Sequence, residues 1–140
     1  GGPDGGSLEQ VKKRVCELEI DDHVRFIGVR KDVPVCLHLF DAYLFPSQYE
    51  GLGIVLLEAQ AAGCHCIAST SVPQEADIGL KLVSFVELTK PAELWAEQLN
   101  SCLVDGICPN SDVINSAFLT TGYNICQSIK ELVEVYDHQQ

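Results

Sequence analysis

Phe45-Pro46-Ser47-Gln48-Tyr49-Glu50-Gly51-Leu52-Gly53-Ile54-Val55-Leu56-Leu57-Glu58-Ala59 is the stretch on which the reading of this chain turns. A short apolar run, Ala42 to Phe45, reads as a buried strand that Pro46 stops. Gly51 and Gly53 lead out of the turn into an apolar helix from about Gly53 to Ala62, with Gly63 as its C-terminal stop. Glycine lets a backbone come close to a ligand. A helix start offers unpaired N–H groups and partial positive charge, which suits phosphate. One carboxylate, Glu50, stands before the helix and another, Glu58, within it. The stretch reads as a helix start that holds an anion, with acids placed to grip hydroxyls on either side.

A nucleoside diphosphate at this turn would set its phosphates against the backbone N–H groups of Leu52, Gly53 and Ile54. Glu58 lies roughly 8 Å further along the helix axis, about one ribose away. There a carboxylate can accept from two vicinal hydroxyls. Plainer readings stay open. A Glu on an amphipathic helix is commonly solvated, and paired glycines can be simple turn residues. Against the first stands the setting of Glu58 among Leu56, Leu57 and Ala59, where a lone acid is costly without a partner.

Around this stretch, short apolar strands alternate with helices. Gly1 to Gly6 reads as a turn, and Ser7 with Gln10 as a capping box opening a helix with Leu8, Val11, Val15 and Leu18 on one face. Val24 to Gly28 alternates like a strand. Asp32 is placed to cap a short helix through Phe40. After Gly63 come a strand from Cys64 to Ser69, a polar loop from Ser71 to Asp77 and a brief strand from Lys81 to Phe85. Pro91 opens a helix to about Leu103, and two more cover roughly Ser111 to Leu119 and Asn124 to Tyr136. The pattern is that of an α/β layer structure with a parallel sheet, in which ligands sit beyond the carboxyl ends of the strands. No repeat and no inner domain boundary stands out. The opening turn has no strand before it, so the chain is expected to be half of a larger fold that lacks its first strand.

The chain has 140 residues, enough for a real core. A formal net charge of -11 argues against nucleic acid or an anionic membrane as its main partner. No signal peptide or long apolar run is present. Seven cysteines without Cys-x-x-Cys pairs carry no structural zinc signature and read as buried or semi-buried thiols in a reducing cytosol. Cys64-His65-Cys66 invites a metal reading, but on a strand His65 would point away from the two thiols. His38, in an apolar helix, reads as structural.

The stretch from Val24 to Glu75 resembles the donor-binding domain of retaining, nucleotide-sugar-dependent glycosyltransferases of group 1, which have the two-domain GT-B fold. The residues that carry the likeness are Val24-Arg25-Phe26-Ile27-Gly28, Asp32-Val33-Pro34, Asp41-Ala42, Phe45-Pro46-Ser47, Tyr49-Glu50-Gly51 and Leu57-Glu58-Ala59 through Ala62-Gly63, with seven residues between the two acids. Gly1-Gly2-Pro3 is similar to the family's Gly-rich turn, and Trp95-Ala96-Glu97 and Gly122-Tyr123-Asn124-Ile125 to its bacterial capsule and exopolysaccharide branch.

The resemblance implies a Rossmann-like, three-layer domain with a parallel sheet, one half of the GT-B fold, spanning residues 1–140. By it, Glu58 binds the donor ribose and Glu50 faces the transferred sugar as the catalytic acid residue. Gly51, Leu52, Gly53 and Ile54 meet sugar and diphosphate through their backbone, and Val29 and Arg30 bracket the base. The donor implied is a UDP-sugar, with no metal and no further cofactor. The acceptor implied is a polysaccharide or lipid-linked oligosaccharide, met by an N-terminal domain outside this chain. That domain would carry the catalytic His or Asp, and the basic pair that clamps the phosphates also lies outside. The implied location is cytoplasmic, peripheral to the inner face of the membrane through that domain. The fragment alone is expected to bind donor weakly and not to catalyse transfer. A non-catalytic nucleotide- or sugar-binding partner module is the alternative for the same site.

Overall fold

The computed structural model describes residues 7–106 and 108–137. The expected turn at Gly1 to Gly6, with its Gly1-Gly2-Pro3 likeness, lies outside them, as does His138. The chain divides into two compact units, residues 1–33 and 34–140, a division that no shift in composition marks.

In the first unit, helix α1 covers Leu8–Glu17. Of its expected apolar face, Val15 is buried while Val11 and Leu18 are about half exposed. The capping box does not form. Ser7 is itself helical (φ -86°, ψ -20°), and its hydroxyl makes no cap bond, because a cap needs extended backbone there. Val24 to Gly28 is no strand. Val24 is extended, but the segment has no ladder partner among the described residues, and a strand exists only through bonds to a neighbour. Arg25 caps the preceding turn instead, donating to the Asp21 and Val24 carbonyls at 3.2 and 3.1 Å.

Helix α2, Val33–Leu37, follows. It stops short of Phe40, and Leu39 N–H and Phe40 N–H turn back to the Cys36 and Leu37 carbonyls. The Asp32 carboxylate goes to the Arg30 guanidinium, which donates through Nε to Oδ1 at 2.8 Å. His38 lies past α2 and is exposed, so it is no core histidine.

The second unit is built on a parallel sheet in the order β1 (Ala42–Phe45), β2 (His65–Ser69), β3 (Val83–Val86). Ala42 pairs with His65 and Phe45 with Ala68, while Cys66 pairs with Val83 and Ser69 with Val86. β3 begins two residues later than the sequence suggests, because Lys81 sits at φ 59°, outside extended backbone. The central strand β2 is the core: Cys66, Ile67 and Ala68 are fully buried.

Helices flank this sheet. α3 (Ile54–Ala61) joins β1 to β2 and packs on β2; α4 (Ala92–Asp105) packs on β2 and reaches β1. α5 (Ser111–Thr120) packs on α3, its Asn110 cap accepting from Val113 N–H at 3.0 Å. α6 covers Ile125–Asp137. Leu57, Ile78 and Ala117 form a buried cluster where α3, the β2–β3 connection and α5 meet.

Gln60 is the one polar α3 residue that this packing buries completely. Its Nε2 donates to the Leu56 carbonyl at 3.1 Å and the Ala76 carbonyl at 2.6 Å, and its Oε1 accepts from Ile78 N–H at 3.0 Å. The side chain thus fastens the β2–β3 connection to α3. Tyr123 adds a second tie, its hydroxyl donating to the Glu75 carbonyl at 2.8 Å.

Candidate functional site

The turn between β1 and α3 is held from three directions. Ser69, buried at the end of β2, donates its hydroxyl to the Ser47 carbonyl. Ser47 Oγ lies 2.8 Å from Glu50 Oε1 and 3.1 Å from the Tyr49 carbonyl. Its single proton belongs on the carboxylate, where the bond is charge-assisted. Glu50, half-buried, is thereby oriented by a residue on its own turn. Gly53 forms the third hold. It takes left-handed backbone (φ 78°, ψ 53°) as N-cap of α3, and Leu56 N–H bonds its carbonyl at 2.8 Å. A Cβ there would lie 3.1 Å from Val72 Cγ1 and 3.5 Å from Phe45 Cε1. The helix start is therefore wedged between the end of β1 and the loop after β2.

Gly51 differs. It has no left-handed φ, and a Cβ on it would meet nothing within 4 Å. Gly53 answers to the fold, whereas Gly51 faces open space. Gly53→Ala should therefore cost about 1–2 kcal/mol of stability from left-handed backbone alone, with Val72 also forced to move. Gly51→Ala should stay within about 0.5 kcal/mol of the parent. Chemical denaturation of both variants checks this, and equal midpoints would contradict it.

α3 buries Leu56, Leu57, Ala59 and Gln60 and leaves one exposed stripe, Ile54, Glu58 and Ala61. Glu58 is on that stripe, so the expectation of a buried acid is corrected. A helix can be apolar in composition and still turn one row of side chains to water, and a solvated carboxylate carries no burial penalty. No hydrogen bond or ion pair to the Glu58 carboxylate is found among the described residues. What recommends Glu58 is its place. It follows Ile54 by four residues on one face, about 6 Å along the axis from the helix start.

Tyr43 lies on β1, before the turn. Its phenol is half-buried, and its pKa is pushed up to about 12, first by burial, then by Cys66, Glu50 and Glu58. Tyr43 and Phe45 alternate on β1 and stack with centroids 5.8 Å apart. Phe45 in turn abuts Gly53. The structure so gathers Glu50, Glu58 and the Gly51, Leu52, Gly53, Ile54 turn around the carboxyl end of β1. Val29 and Arg30 belong to the first unit and are described there alone. Val29 is exposed, and the Arg30 guanidinium holds the Asp32 carboxyl below its usual range, chiefly through their hydrogen bond.

Sequence reasoning gave no role to Tyr43, Ser47 or Ser69. Ser47 lies three residues before Glu50, a spacing that local turns use for side-chain bonds. The bond from Ser69 spans two strands and leaves no local signal. Cys64, just before β2, and Cys66, on it, are buried and Cys36 and Cys102 partly so, whereas Cys16, Cys108 and Cys126 are exposed, which corrects the reading of all seven as buried or semi-buried thiols. Burial pushes the Cys64 thiol up to about 11 and raises Cys66 as well, so both stay protonated. No set of three His, Cys, Asp or Glu side chains suited to a metal ion occurs among the described residues. Nor does any described helix have the length and apolar character to cross a membrane.

The profile of the family described as Glycosyl transferases group 1 matches residues 1–117, and the chain belongs to that family. Over 134 residues (96% of the chain, 35% of the relative) it is 32% identical to the Bacillus subtilis (strain 168) protein described as "Putative glycosyltransferase EpsF". Over 104 residues (71% of the chain, 24% of the relative) it is 32% identical to a D-inositol 3-phosphate glycosyltransferase of Saccharomonospora viridis. Over 53 residues (38% of the chain, 14% of the relative) it is 34% identical to the UDP-Gal:alpha-D-GlcNAc-diphosphoundecaprenol alpha-1,3-galactosyltransferase of Escherichia coli. The chain thus spans about a third or less of the length of these relatives.

Proposed function

We propose that this chain is the nucleotide-sugar donor-binding part of a retaining glycosyltransferase with the GT-B arrangement. In this reading the whole protein passes a hexose from a UDP-sugar to a polysaccharide or lipid-linked oligosaccharide. The observation that carries it is the turn between β1 and α3, where Ser47 orients Glu50 and Glu58 stands on the exposed stripe of a helix that starts at a left-handed glycine. The Escherichia coli relative supports the donor and acceptor classes, since its name specifies UDP-Gal and a diphosphoundecaprenol-linked sugar. The Bacillus subtilis relative is matched over nearly all of this chain.

The roles proposed are as follows. Glu58, on the exposed stripe of α3, accepts hydrogen bonds from the ribose diol. The start of α3 meets the diphosphate with N–H groups and the positive end of the helix dipole. Glu50, oriented by Ser47, faces the transferred sugar. There a fixed carboxylate steadies the positive charge that grows as the bond to the leaving diphosphate stretches. Positioning and electrostatics do the work, and this mechanism calls on no metal. The acceptor-binding domain is supplied by the rest of the protein. The reaction belongs in the cytoplasm, at the inner face of the membrane when the acceptor is lipid-linked.

The test is a thermal-shift panel of UDP, GDP, ADP, CDP and dTDP on the full-length protein that carries this chain. A ligand that binds only the folded form raises Tm in proportion to its affinity. UDP is expected to give the largest rise. A flat response across the panel would reject the donor-site reading, and a preference for another base would move the donor class.

A further inference from the structure

Among the described residues, packing buries two polar side chains completely, Gln60 and Ser69. Gln60 serves the β2–β3 connection. Ser69 serves the turn that carries Glu50. An alanine at the end of β2 would bring no polar atom into the core, so a hydroxyl there is costly unless its bond is made. β1 pairs with β2 as far as Phe45 and Ala68, and Pro46, which has no N–H, ends the ladder. Beyond that point a side chain takes over from the ladder, because the Ser69 hydroxyl donates to the Ser47 carbonyl. Ser47 Oγ in turn lies 2.8 Å from Glu50 Oε1. Two hydrogen bonds thus run from the central strand of the sheet to one oxygen of one carboxylate. No hydrogen bond to Glu50 Oε2 is found among the described residues. The last torsion of a glutamate is broad when nothing holds it. Held at Oε1 by a residue that is itself held from the sheet, Glu50 presents Oε2 in one direction.

We propose that Ser69 is a positioning residue of the sugar-transfer step, acting from β2 through Ser47 to fix Glu50 so that Oε2 is the oxygen presented to the transferred sugar. This role rests on the donor-site reading above. Neither serine touches the donor: Ser47 acts through Glu50, and Ser69 acts through Ser47. A carboxylate already aimed at the place where positive charge grows needs no reorientation as the bond to the diphosphate stretches. That charge is larger in the transition state than in the bound donor, so losing either hydroxyl falls on kcat and spares donor binding.

The test uses the full-length protein that carries this chain. UDP release from UDP-glucose and from UDP-galactose is followed without acceptor, and rates are expressed per UDP site counted by calorimetry, so that misfolded protein does not enter. Ser47→Ala should lower kcat about 10- to 50-fold and Ser69→Ala about 3- to 10-fold, with donor KM and UDP affinity within about 2-fold of the parent. Ser47→Thr, which keeps the hydroxyl, should recover most of the rate. Where Ser69→Ala does not fold, Ser69→Cys takes its place, being close in size and only a weak donor, and the same loss is expected of it. Parent kcat in the Ser69 variants would overturn the proposal. A loss of UDP affinity as large as the loss of kcat would overturn it too, since the serines would then merely support the turn. If the parent binds UDP but turns over neither UDP-hexose, the step that Ser69 is held to serve is absent, and the proposal falls while the nucleotide site stands. If the parent does not bind UDP, the donor-site reading falls and takes the role of Ser69 with it.

Discussion

Gln60→Leu should lower the Tm of this chain by about 10–20 °C, the largest stability effect expected of any polar substitution in it. Leucine nearly matches glutamine in volume, so the cavity left is small. What remains is a buried carbonyl at Ala76 and a buried N–H at Ile78 without partners, both now served by Gln60 at 2.6 and 3.0 Å. Each stranded group costs about 1–3 kcal/mol, so the pair should cost about 2–6 kcal/mol. The damage should begin locally. The β2–β3 connection keeps its second tie, from Tyr123 to Glu75, but loses its link to α3. Amide exchange at Ile78 should therefore speed up under conditions where β2 remains protected. Circular dichroism melts and exchange mass spectrometry check both parts. A Tm within about 2 °C of the parent would show that water or a relaxed loop satisfies these groups.

Glu58→Ala should weaken UDP by about 10- to 150-fold, corresponding to the 1.5–3 kcal/mol of a hydrogen bond to a charged group. The sign is informative. The chain carries a net charge of -11, so deleting a carboxylate should by itself favour an anionic ligand. A loss therefore cannot come from the general field and must come from a lost contact. Glu134→Ala, on α6, provides the control for charge alone and should bind UDP as the parent does or slightly better. Calorimetry at fixed salt decides, and parent-like affinity in Glu58→Ala would remove the ribose role.

The Ser69–Ser47 and Gln60–Ile78 bonds show why part of the site was hidden from sequence reasoning. Each joins residues far apart along the chain, and neither residue type announces such a bond. Gln60 in sequence is one more polar residue on a helix. Only the packing of α5 and the β2–β3 connection around α3 makes it the buried clamp. Glu58 erred in the opposite direction. Its apolar neighbours suggested burial, but composition does not say which row of a helix meets water. The Val24 to Gly28 segment shows the same limit for strands, since alternation marks a candidate and only a partner makes a ladder.

The sequence by itself determined the order of strands and helices from α2 onward, both ends of α3 and the spacing of Glu50 and Glu58. Those features are local: proline and glycine set backbone angles, and apolar spacing marks what is to be buried. Tertiary structure alone decided that Glu58 is solvated, that Ser69 fastens the Ser47 turn, and that Gln60 ties the β2–β3 connection to α3. Contacts of that kind depend on register and on which faces pack together, and these arise only when distant segments meet.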